Sequence, residues 1–283
     1  MDATNIDLHS HSRRSDGDLE PEEVAQRAAD AGVTLWALTD HDEIDGLARA
    51  RAAARKLNLN WCSGVEISVA RQGHTIHIVG LNFDPENEAL KIFLNNIRDR
   101  RLPRAREMAA ALARLGIPEA LEGALKFVSN PQLISRTHFA KFLVSAGYCR
   151  NPDEVFSRYL GEGCPAYIPS NWADLEEAVR RIIEAGGVAV LAHPGRYRLR
   201  TLAENALFEA FCAAGGRAVE VITSNHNAEA VRRYTRLALR YGLAASRGSD
   251  FHRPSDRHAQ LGRLPPLPPN VTPITALLRT GCL

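Results

Sequence analysis

Residues 5–17, NIDLHSHSRRSDG, carry an apolar run that ends on two histidines and leads into a polar Ser-Asp-Gly turn. Alternate residues of a β-strand point to the same side, so His9 and His11 are predicted to share one face of a first strand. Asp16 follows in the turn. Two imidazoles and a carboxylate in so short a stretch are candidate metal ligands, and the rest of the chain decides whether they have partners.

Bulk composition excludes several classes of protein. The 283 residues are 45% hydrophobic and 24% charged, which is typical of a globular protein, and the formal net charge of +2 gives no argument for a nucleic acid or membrane partner. No segment approaches the roughly 20 apolar residues of a bilayer span, and no secretion-signal pattern opens the chain, so we expect a cytoplasmic protein. The five cysteines lack CxxC spacing, which argues against a thiolate zinc site. No oligomeric state is indicated.

Strand-like and helical patterns alternate in the first and last thirds of the chain, which favours βαβ units and an α/β fold. From about Glu86 to residue 160 the patterns are helical only. The sequence therefore predicts seven strands, mostly separated by helices, with a helical insertion between the fourth and the fifth. The predicted strands are IDLHSH, TLWALTDHD, NWCSGVEISV, HTIHIVGLNF, VAVLAHPG, AVEVITS and LAASRGSDFH.

Histidines and acids recur in or just after these strands, where α/β folds bind their ligands. A single histidine beside an apolar run is usually a packed or surface residue. The repetition at one strand after another favours a shared metal site instead. The residues concerned, with the predicted strand in parentheses, are His9 and His11 (one), His41 (two), Glu66 (three), His77 (four), His193 (five), Asn225 and His226 (six), and Asp250 and His252 (seven).

The chemistry of these side chains limits the choice of metal. Imidazole nitrogen and carboxylate oxygen without thiolate suit zinc, manganese or iron. About nine ligands are too many for one ion, so two or three ions are implied. A carboxylate such as Glu66 can bridge two ions about 3.5–4 Å apart, as in hydrolytic two-metal centres.

Six segments in order, DLHSHSRRSDG, LTDHD, GVEIS, HIVG, LAHPG and GSDFH, resemble the signature segments of the PHP superfamily, named for polymerase and histidinol phosphatase domains. The resemblance implies a distorted (β/α)7 barrel with a trinuclear metal centre at the C-terminal ends of its strands. On this basis residues 1–97 and 166–283 are expected to form the barrel, and residues 98–165 a helical insertion that acts as a substrate lid.

The resemblance also assigns the ligands. His9 and His11 would hold one ion with Glu66 and Asp250. Glu66 would bridge to a second ion held by His77 and His193, and a third would be held by Asp16, His41 and His252. Every ligand position is filled, which argues against a non-catalytic copy of the domain. Manganese is the expected ion, with zinc or iron as alternatives.

The expected reaction is phosphoester hydrolysis by a hydroxide shared between the two ions that Glu66 bridges. His193 is a ligand first, and a general acid if coordination leaves it free. Predicted substrate-binding residues are Ser135, Arg136 and His138 at a helix start, Asn225 and His226 after the sixth strand, and Arg101 and Arg104 in the basic run RDRRLPRAREM. Because Pro103 interrupts that run, a phosphate-binding turn and a plain charged helix face both stay open.

The branch that this chain resembles dephosphorylates nucleoside 3′,5′-bisphosphates and trims short RNA from a 5′-phosphate end. We therefore expect a metal-dependent phosphatase that removes the 3′-phosphate of a nucleotide such as adenosine 3′,5′-bisphosphate. The alternatives are a 5′-3′ exoribonuclease on short 5′-phosphorylated RNA, a histidinol-phosphate-type phosphatase, and a metal-binding module without turnover.

Overall fold

The computed structural model describes residues 5–169 and 172–278, and these form seven strands in one sheet whose spatial order follows the chain. The strands are β1 Ile6–Asp7, β2 Leu35–Leu38, β3 Asn60–Arg71, β4 His74–Leu81, β5 Val188–Leu191, β6 Ala218–Thr223 and β7 Ala244–Gly248. The last strand returns to the first, because Leu8 N–H donates to the Arg247 carbonyl at 3.1 Å and Ser10 bridges to Phe251. The sheet is thus the nearly closed barrel that the sequence predicts.

Strand β4 departs from the parallel pattern, since it runs antiparallel to both β3 and β5. The reason is local. Gln72 and Gly73 join β3 to β4 with positive φ angles of 49° and 83°, the conformation of a two-residue hairpin turn. A connection this short can only reverse the chain, so β4 enters the barrel without a crossover helix.

Strand β1 is shorter than the predicted IDLHSH, because its ladder ends at Asp7. His9 and His11 nevertheless lie in extended chain beyond the ladder, and Ser10 between them forms the bridge to Phe251. Both histidines are fully buried, with ring centroids 5.2 Å apart. The predicted pairing of the two rings on one side is therefore kept by a single bridge rather than by a continuous strand.

The chain divides into two compact units, a barrel unit of residues 1–94 and 173–283 and a helical unit of residues Asn95–Trp172. In the barrel unit, helices α1 Pro21–Asp30, α2 Leu47–Lys56, α8 Leu175–Glu184, α9 Thr201–Ala213 and α10 Ala228–Tyr241 follow the strands. Each turns a largely apolar face inward: α1 buries Val24, Ala25 and Ala28, and α9 buries Phe208 and Phe211. The strands contribute the aliphatic barrel core, including Ile6, Val79 and Val190.

The helical unit has its own core, which includes Met108, Leu112, Phe139 and Leu143. Its elements are the end of α3 Glu88–Arg98, then α4 Arg101–Arg114, α5 Ala120–Leu125, α6 Arg136–Ser145, α7 Pro152–Val155 and a π-helical turn at Phe156–Leu160. The unit reaches beyond the predicted 98–165 on both sides. Ile168 and Trp172 belong to it because Arg104 of α4 donates to the Ile168 carbonyl at 3.0 Å and Arg100, just before α4, donates to the Trp172 carbonyl at 3.2 Å.

Pro103 lies in the first turn of α4, where a proline removes no intrahelical hydrogen bond. The basic run is therefore a continuous helix from Arg101 onward. Among residues 5–169 and 172–278, no helix combines the length and the apolar character needed to cross a membrane.

Candidate metal centre

The nine predicted ligands lie together: most follow barrel strands, whereas Glu66 lies in the middle of β3 and His77 within the antiparallel β4. Their nitrogen and oxygen atoms form overlapping groups within which all ligand atoms lie inside 4.8 Å of one another. The groups are His9, His11, Glu66 and Asp250; His11, Asp16, His41 and His252; and His41, Glu66 and His77. His193 joins them through Glu66, whose Oε1 lies 2.8 Å from its Nε2.

Glu66 is the centre of the constellation. It is fully buried in the middle of β3 and uses its two oxygens in different directions. Oε1 lies 2.7 Å from His77 Nδ1, on the side of His193. Oε2 lies 3.0 Å from His41 Nδ1 and 3.2 Å from His11 Nε2. A carboxylate placed this way can bind two ions at once, which is the bridging role expected from the sequence.

Asp250 and Asp16 supply the carboxylates on the other two sides. Asp250 Oδ1 lies 3.1 Å from His11 Nε2 and 3.5 Å from His9 Nε2. Asp16 Oδ1 lies 3.3 Å from His252 Nε2 and 3.8 Å from His41 Nε2. Each acid thus faces a pair of histidines, so that every predicted ion position has oxygen as well as nitrogen donors.

The donor atoms fit metal ions because many are buried without a hydrogen-bond partner. Among the described residues these include His9 Nε2, both ring nitrogens of His11, Glu66 Oε2 and Asp250 Oδ1. Buried polar groups are normally hydrogen-bonded, and orphaned atoms that converge on one point indicate a missing cationic partner. Nitrogen and carboxylate oxygen in this ratio suit zinc, manganese or iron.

The acids of the centre are held ionised, as ligands of a metal cation must be. Burial raises the pKa of Glu66, but His77 and His41 outweigh burial and hold it well below its ordinary value. Burial likewise raises the pKa of Asp250, but Arg196 together with the surrounding histidines holds it well below its ordinary value. Burial lowers the pKa of His11, yet Asp250 and Glu66 raise it to about 10. Metal ions would therefore displace protons from this centre when they bind.

Glu220, in strand β6, positions two ligands and was missed by the sequence analysis. Its Oε1 lies 2.7 Å from His9 Nδ1, and its Oε2 accepts from the His193 N–H at 2.6 Å. A carboxylate on Nδ1 fixes the ring so that Nε2 points to the ion. The available signal was a lone acid inside the apolar run AVEVIT, because a buried carboxylate needs specific partners.

Asp40 organises the loop that carries Asp16. It accepts from the Ser12 N–H, the Ser12 hydroxyl and the Ser15 hydroxyl, each at 2.7 Å. These bonds bring the loop after His11 back across the end of β2, which places Asp16 beside His41 rather than beside His9. Residues 5–17 thus contribute ligands to two different parts of the centre: His9 and His11 to one, and Asp16 to the other.

The turn after β5 carries His193 in a rare backbone conformation, with φ at 25°, and Asp250 after β7 has φ at 55°. Such geometry is costly for residues other than glycine and is found where function requires it. Tyr197 supports the turn by donating to the Ala192 carbonyl at 2.7 Å and accepting from the His77 N–H at 3.0 Å. Arg196, also missed from sequence, forms an ion pair with Asp250.

His226, a predicted substrate-binding residue, has both ring nitrogens engaged by backbone. Nδ1 lies 3.0 Å from the Val221 carbonyl, and Nε2 accepts from the Gly195 N–H at 3.1 Å. The ring also stacks on Tyr234 at 4.7 Å between centroids. These contacts make His226 a brace for the turn after His193, while the neighbouring Asn225 is exposed.

The three predicted substrate-binding arginines form a cluster in the helical unit, named the buried arginine cluster because Arg101 and Arg104 are buried, whereas Arg136 is half-buried. Arg101 and Arg104 lie over the Trp172 ring at 4.8 and 5.4 Å, and Arg104 Nε donates to the Ile168 carbonyl at 3.0 Å. Arg136 faces the Tyr167 ring at 5.7 Å. Burial, with repulsion from the other two arginines, lowers the pKa of Arg104 to about 10.

This cluster has the properties of an anion site. Arg104 Nη2 is buried without a hydrogen-bond partner. Neighbouring guanidinium groups that repel one another, with an unused donor on one of them, favour a bound phosphate or carboxylate. Ser135 and His138 are instead engaged with each other at the start of α6, where the Ser135 N–H donates to His138 Nδ1 at 3.1 Å. They cap the helix whose first residue is Arg136.

Comparisons with known proteins agree with this site. The PHP domain family matches residues 7–226. The chain is similar to a 3′,5′-nucleoside bisphosphate phosphatase of Chromobacterium violaceum, with 48% identity over 95% of each chain. It is also similar to a 5′-3′ exoribonuclease of Salmonella typhimurium, with 41% identity over 95% of this chain and 92% of the relative. A solved structure of a candidate metal-dependent phosphoesterase from Bifidobacterium adolescentis superposes with a TM-score of 0.82 at 28% identity, covering 96% of this chain and 93% of that one.

Proposed function

The chain belongs to the PHP domain family, and from that premise we propose that it is a metal-dependent phosphoesterase that hydrolyses the 3′-phosphate of nucleoside 3′,5′-bisphosphates. Adenosine 3′,5′-bisphosphate would give AMP and phosphate. The observation that carries the proposal is the set of buried, unpartnered nitrogen and carboxylate atoms around Glu66. Three ions, with manganese as the metal, are part of the proposal, as is a cytoplasmic location.

Bound divalent ions would polarise the phosphoryl oxygens and lower the pKa of a water held between them. The residues of the chain determine where this happens. Glu66 would hold two ions at once, while His77 and His193 approach it from one side and His41 from the other. Arg196 lies on Asp250 at the rim of the centre and can place a guanidinium against a phosphoryl oxygen.

We propose that the buried arginine cluster of the helical unit binds a phosphate group of the substrate. Three guanidinium groups with an unused donor at Arg104 suit the two negative charges of a phosphate monoester. Stacked on Trp172, Arg101 and Arg104 hold their orientation before a ligand arrives. The assignments of Ser135, His138 and Asn225 as substrate contacts stay predictions.

A test compares adenosine 3′,5′-bisphosphate, adenosine 3′-phosphate and histidinol phosphate as substrates of the purified protein with manganese. We expect the highest kcat/KM for the bisphosphate and AMP as the organic product, identified by chromatography. Preference for histidinol phosphate, or release of adenosine 3′-phosphate as the product, would contradict the proposal.

The exoribonuclease relatives support a second activity at the same centre. The phosphodiester of a short 5′-phosphorylated RNA could be hydrolysed at the same centre. A 5′-phosphorylated oligoribonucleotide should then release mononucleotides stepwise from its 5′ end. Absence of stepwise release, with intact bisphosphate hydrolysis, would restrict the protein to mononucleotides.

A further inference from the structure

Two segments of the barrel unit begin near the metal centre and carry exposed arginines. The first runs from Pro194 to Glu204 and follows β5. The second is α10, which follows β6 and leads away from the centre to the start of β7. We name five of their arginines the exposed arginine band, which leaves out Arg196, paired with Asp250, and Arg233, paired with Glu204. It consists of Arg198, Arg200, Arg232, Arg236 and Arg240, all exposed to solvent.

Side-chain contacts hold the two segments together. The Gly195 N–H donates to His226 Nε2, just before α10 begins. Glu204, which is buried, accepts from the Tyr234 hydroxyl at 3.0 Å and from the Arg233 guanidinium at 2.6 Å. Since Arg196 in the first segment reaches Asp250, the arginines of this segment begin at the metal centre itself.

The band is not neutralised by acids. Among residues 5–169 and 172–278, none of its five arginines has a carboxylate within the 4.0 Å of an ion pair. Helix α8 shows the contrasting arrangement, in which Arg180 pairs with Glu184 at 2.8 Å and Arg181 with Glu177 at 3.5 Å. The chain as a whole is close to neutral, so the positive charge of the band is a local excess.

The spacing along α10 favours an extended anion over a single phosphate. Arg232, Arg236 and Arg240 are four residues apart and therefore lie along one side of the helix. At a rise of 1.5 Å per residue they cover about 12 Å, which is longer than one phosphate group and comparable with successive phosphates of a polynucleotide. Arginine is well suited to such phosphates because its guanidinium can donate two hydrogen bonds at once.

We propose that the exposed arginine band binds the phosphate backbone of single-stranded RNA, downstream of the nucleotide held at the metal centre. This inference rests on the proposed exoribonuclease activity and extends it, because it names the surface that separates RNA from mononucleotide substrates. Backbone contacts carry no sequence information, so the binding is expected to be independent of base sequence and sensitive to salt.

The test measures binding of 5′-phosphorylated RNAs of two and twelve nucleotides by fluorescence anisotropy, with EDTA present to prevent cleavage. One variant combines Arg232→Gln, Arg236→Gln and Arg240→Gln. The matched control combines Arg51→Gln, Arg55→Gln and Lys56→Gln, which removes the same charge from exposed positions of α2. Hydrolysis of adenosine 3′,5′-bisphosphate with manganese is measured in parallel for both variants, and circular dichroism verifies their folding.

We expect the α10 variant to bind the twelve-nucleotide RNA about tenfold more weakly. The slope of log Kd against log salt should fall by about two, since three phosphate contacts are lost and each contact to a single strand contributes about 0.7. Binding of the two-nucleotide RNA, bisphosphate hydrolysis and the α2 control should be unchanged. Equal loss of twelve-nucleotide binding in both variants, or no length dependence in the unmodified protein, would overturn the inference. A failure of the proposed function would appear separately, as absent bisphosphate hydrolysis in the unmodified protein.

Discussion

Replacing Glu220 by glutamine is expected to weaken the metal centre without changing any ligand. Glu220 accepts two hydrogen bonds, one on each oxygen, from His9 Nδ1 and from the His193 N–H. Glutamine has the same shape but only one acceptor oxygen, and its other terminal atom is a donor. Whichever way the amide is turned, one of the two partners meets a donor instead of an acceptor.

Both orientations of the amide carry a defined penalty. If the amide nitrogen faces the His193 N–H, that buried donor loses its partner and the turn that holds His193 loosens. If the amide nitrogen faces His9, the imidazole must change tautomer, and the proton on Nε2 then blocks the atom that points to the ion. A buried hydrogen bond to a charged group contributes about 1.5–3 kcal/mol. Loss of a carboxylate that orients a histidine ligand typically costs 10- to 100-fold in metal affinity.

The measurement is the manganese dissociation constant, obtained by competition with a chromophoric chelator. We expect Glu220→Gln to raise the dissociation constant about 10- to 100-fold for the ion held by His9. The matched control is Glu204→Gln, another buried acid, which bonds to Arg233 and Tyr234 rather than to a predicted ligand. The control can lower the melting temperature but should keep the metal affinity. Equal affinities in Glu220→Gln and the unmodified protein would refute the reasoning.

Three further changes test other parts of the structure. Glu66→Ala should abolish bisphosphate hydrolysis, because Glu66 contacts both His77 and His41. The exposed Glu86→Ala should leave hydrolysis unchanged, circular dichroism verifies folding, and turnover by Glu66→Ala would contradict the bridging role. Arg104→Gln should raise KM for the bisphosphate about tenfold or more, because it removes a charged hydrogen bond. The exposed Arg114→Gln on the same helix should leave KM unchanged. Equal KM values in the two variants would show that the buried arginine cluster does not bind substrate. Burial lowers the pKa of His226 in the folded protein, although its hydrogen bond to the Val221 carbonyl raises that pKa. The neutral ring therefore contributes its full stabilisation above the unfolded pKa of about 6.5. This contribution is lost as the pH falls from there through the lower pKa of the folded protein. His226→Gln keeps the two hydrogen bonds without titrating, so its free energy of unfolding should fall less between pH 7 and 5 than that of the unmodified protein, and parallel curves would refute this.

The ligands at the strand ends were predictable from sequence because each combines an apolar run, which predicts a buried strand, with a polar side chain that such a strand would normally exclude. Apolar runs identify β2, β5 and β6, and a histidine or an acid at the end of such a run is unexpected unless something binds it. His193 after VAVLA is one example. The direction of β4 was not predictable from the same patterns, since periodicity is identical in parallel and antiparallel strands. The Gln72–Gly73 turn was the only local sign of the reversal.

Position after a strand predicts metal ligands better than it predicts residues that contact substrate or that support other side chains. His226 and Asn225 follow the same strand and were predicted to bind substrate together, yet the ring of His226 is engaged by Val221 and Gly195. That outcome depends on the turn after β5, which lies 31 residues away in sequence. Ser135 and His138 show the local version, because a serine and a histidine three positions apart at a helix start can satisfy each other.

The contrast between Glu66 and Glu220 shows what makes a buried acid recognisable. Both lie inside β-strands, both are almost inaccessible to solvent, and both contact His9 or His193. Glu66 was identified because it lies in a segment with a family pattern, whereas Glu220 was treated as part of an apolar strand. The desolvation cost of a carboxylate is the same in either place, so each must be compensated by cations or by hydrogen-bond donors. A lone acid in a strand that leads to a ligand cluster is therefore itself a prediction, and the metal affinity of Glu220→Gln is the measurement that decides whether it holds for this chain.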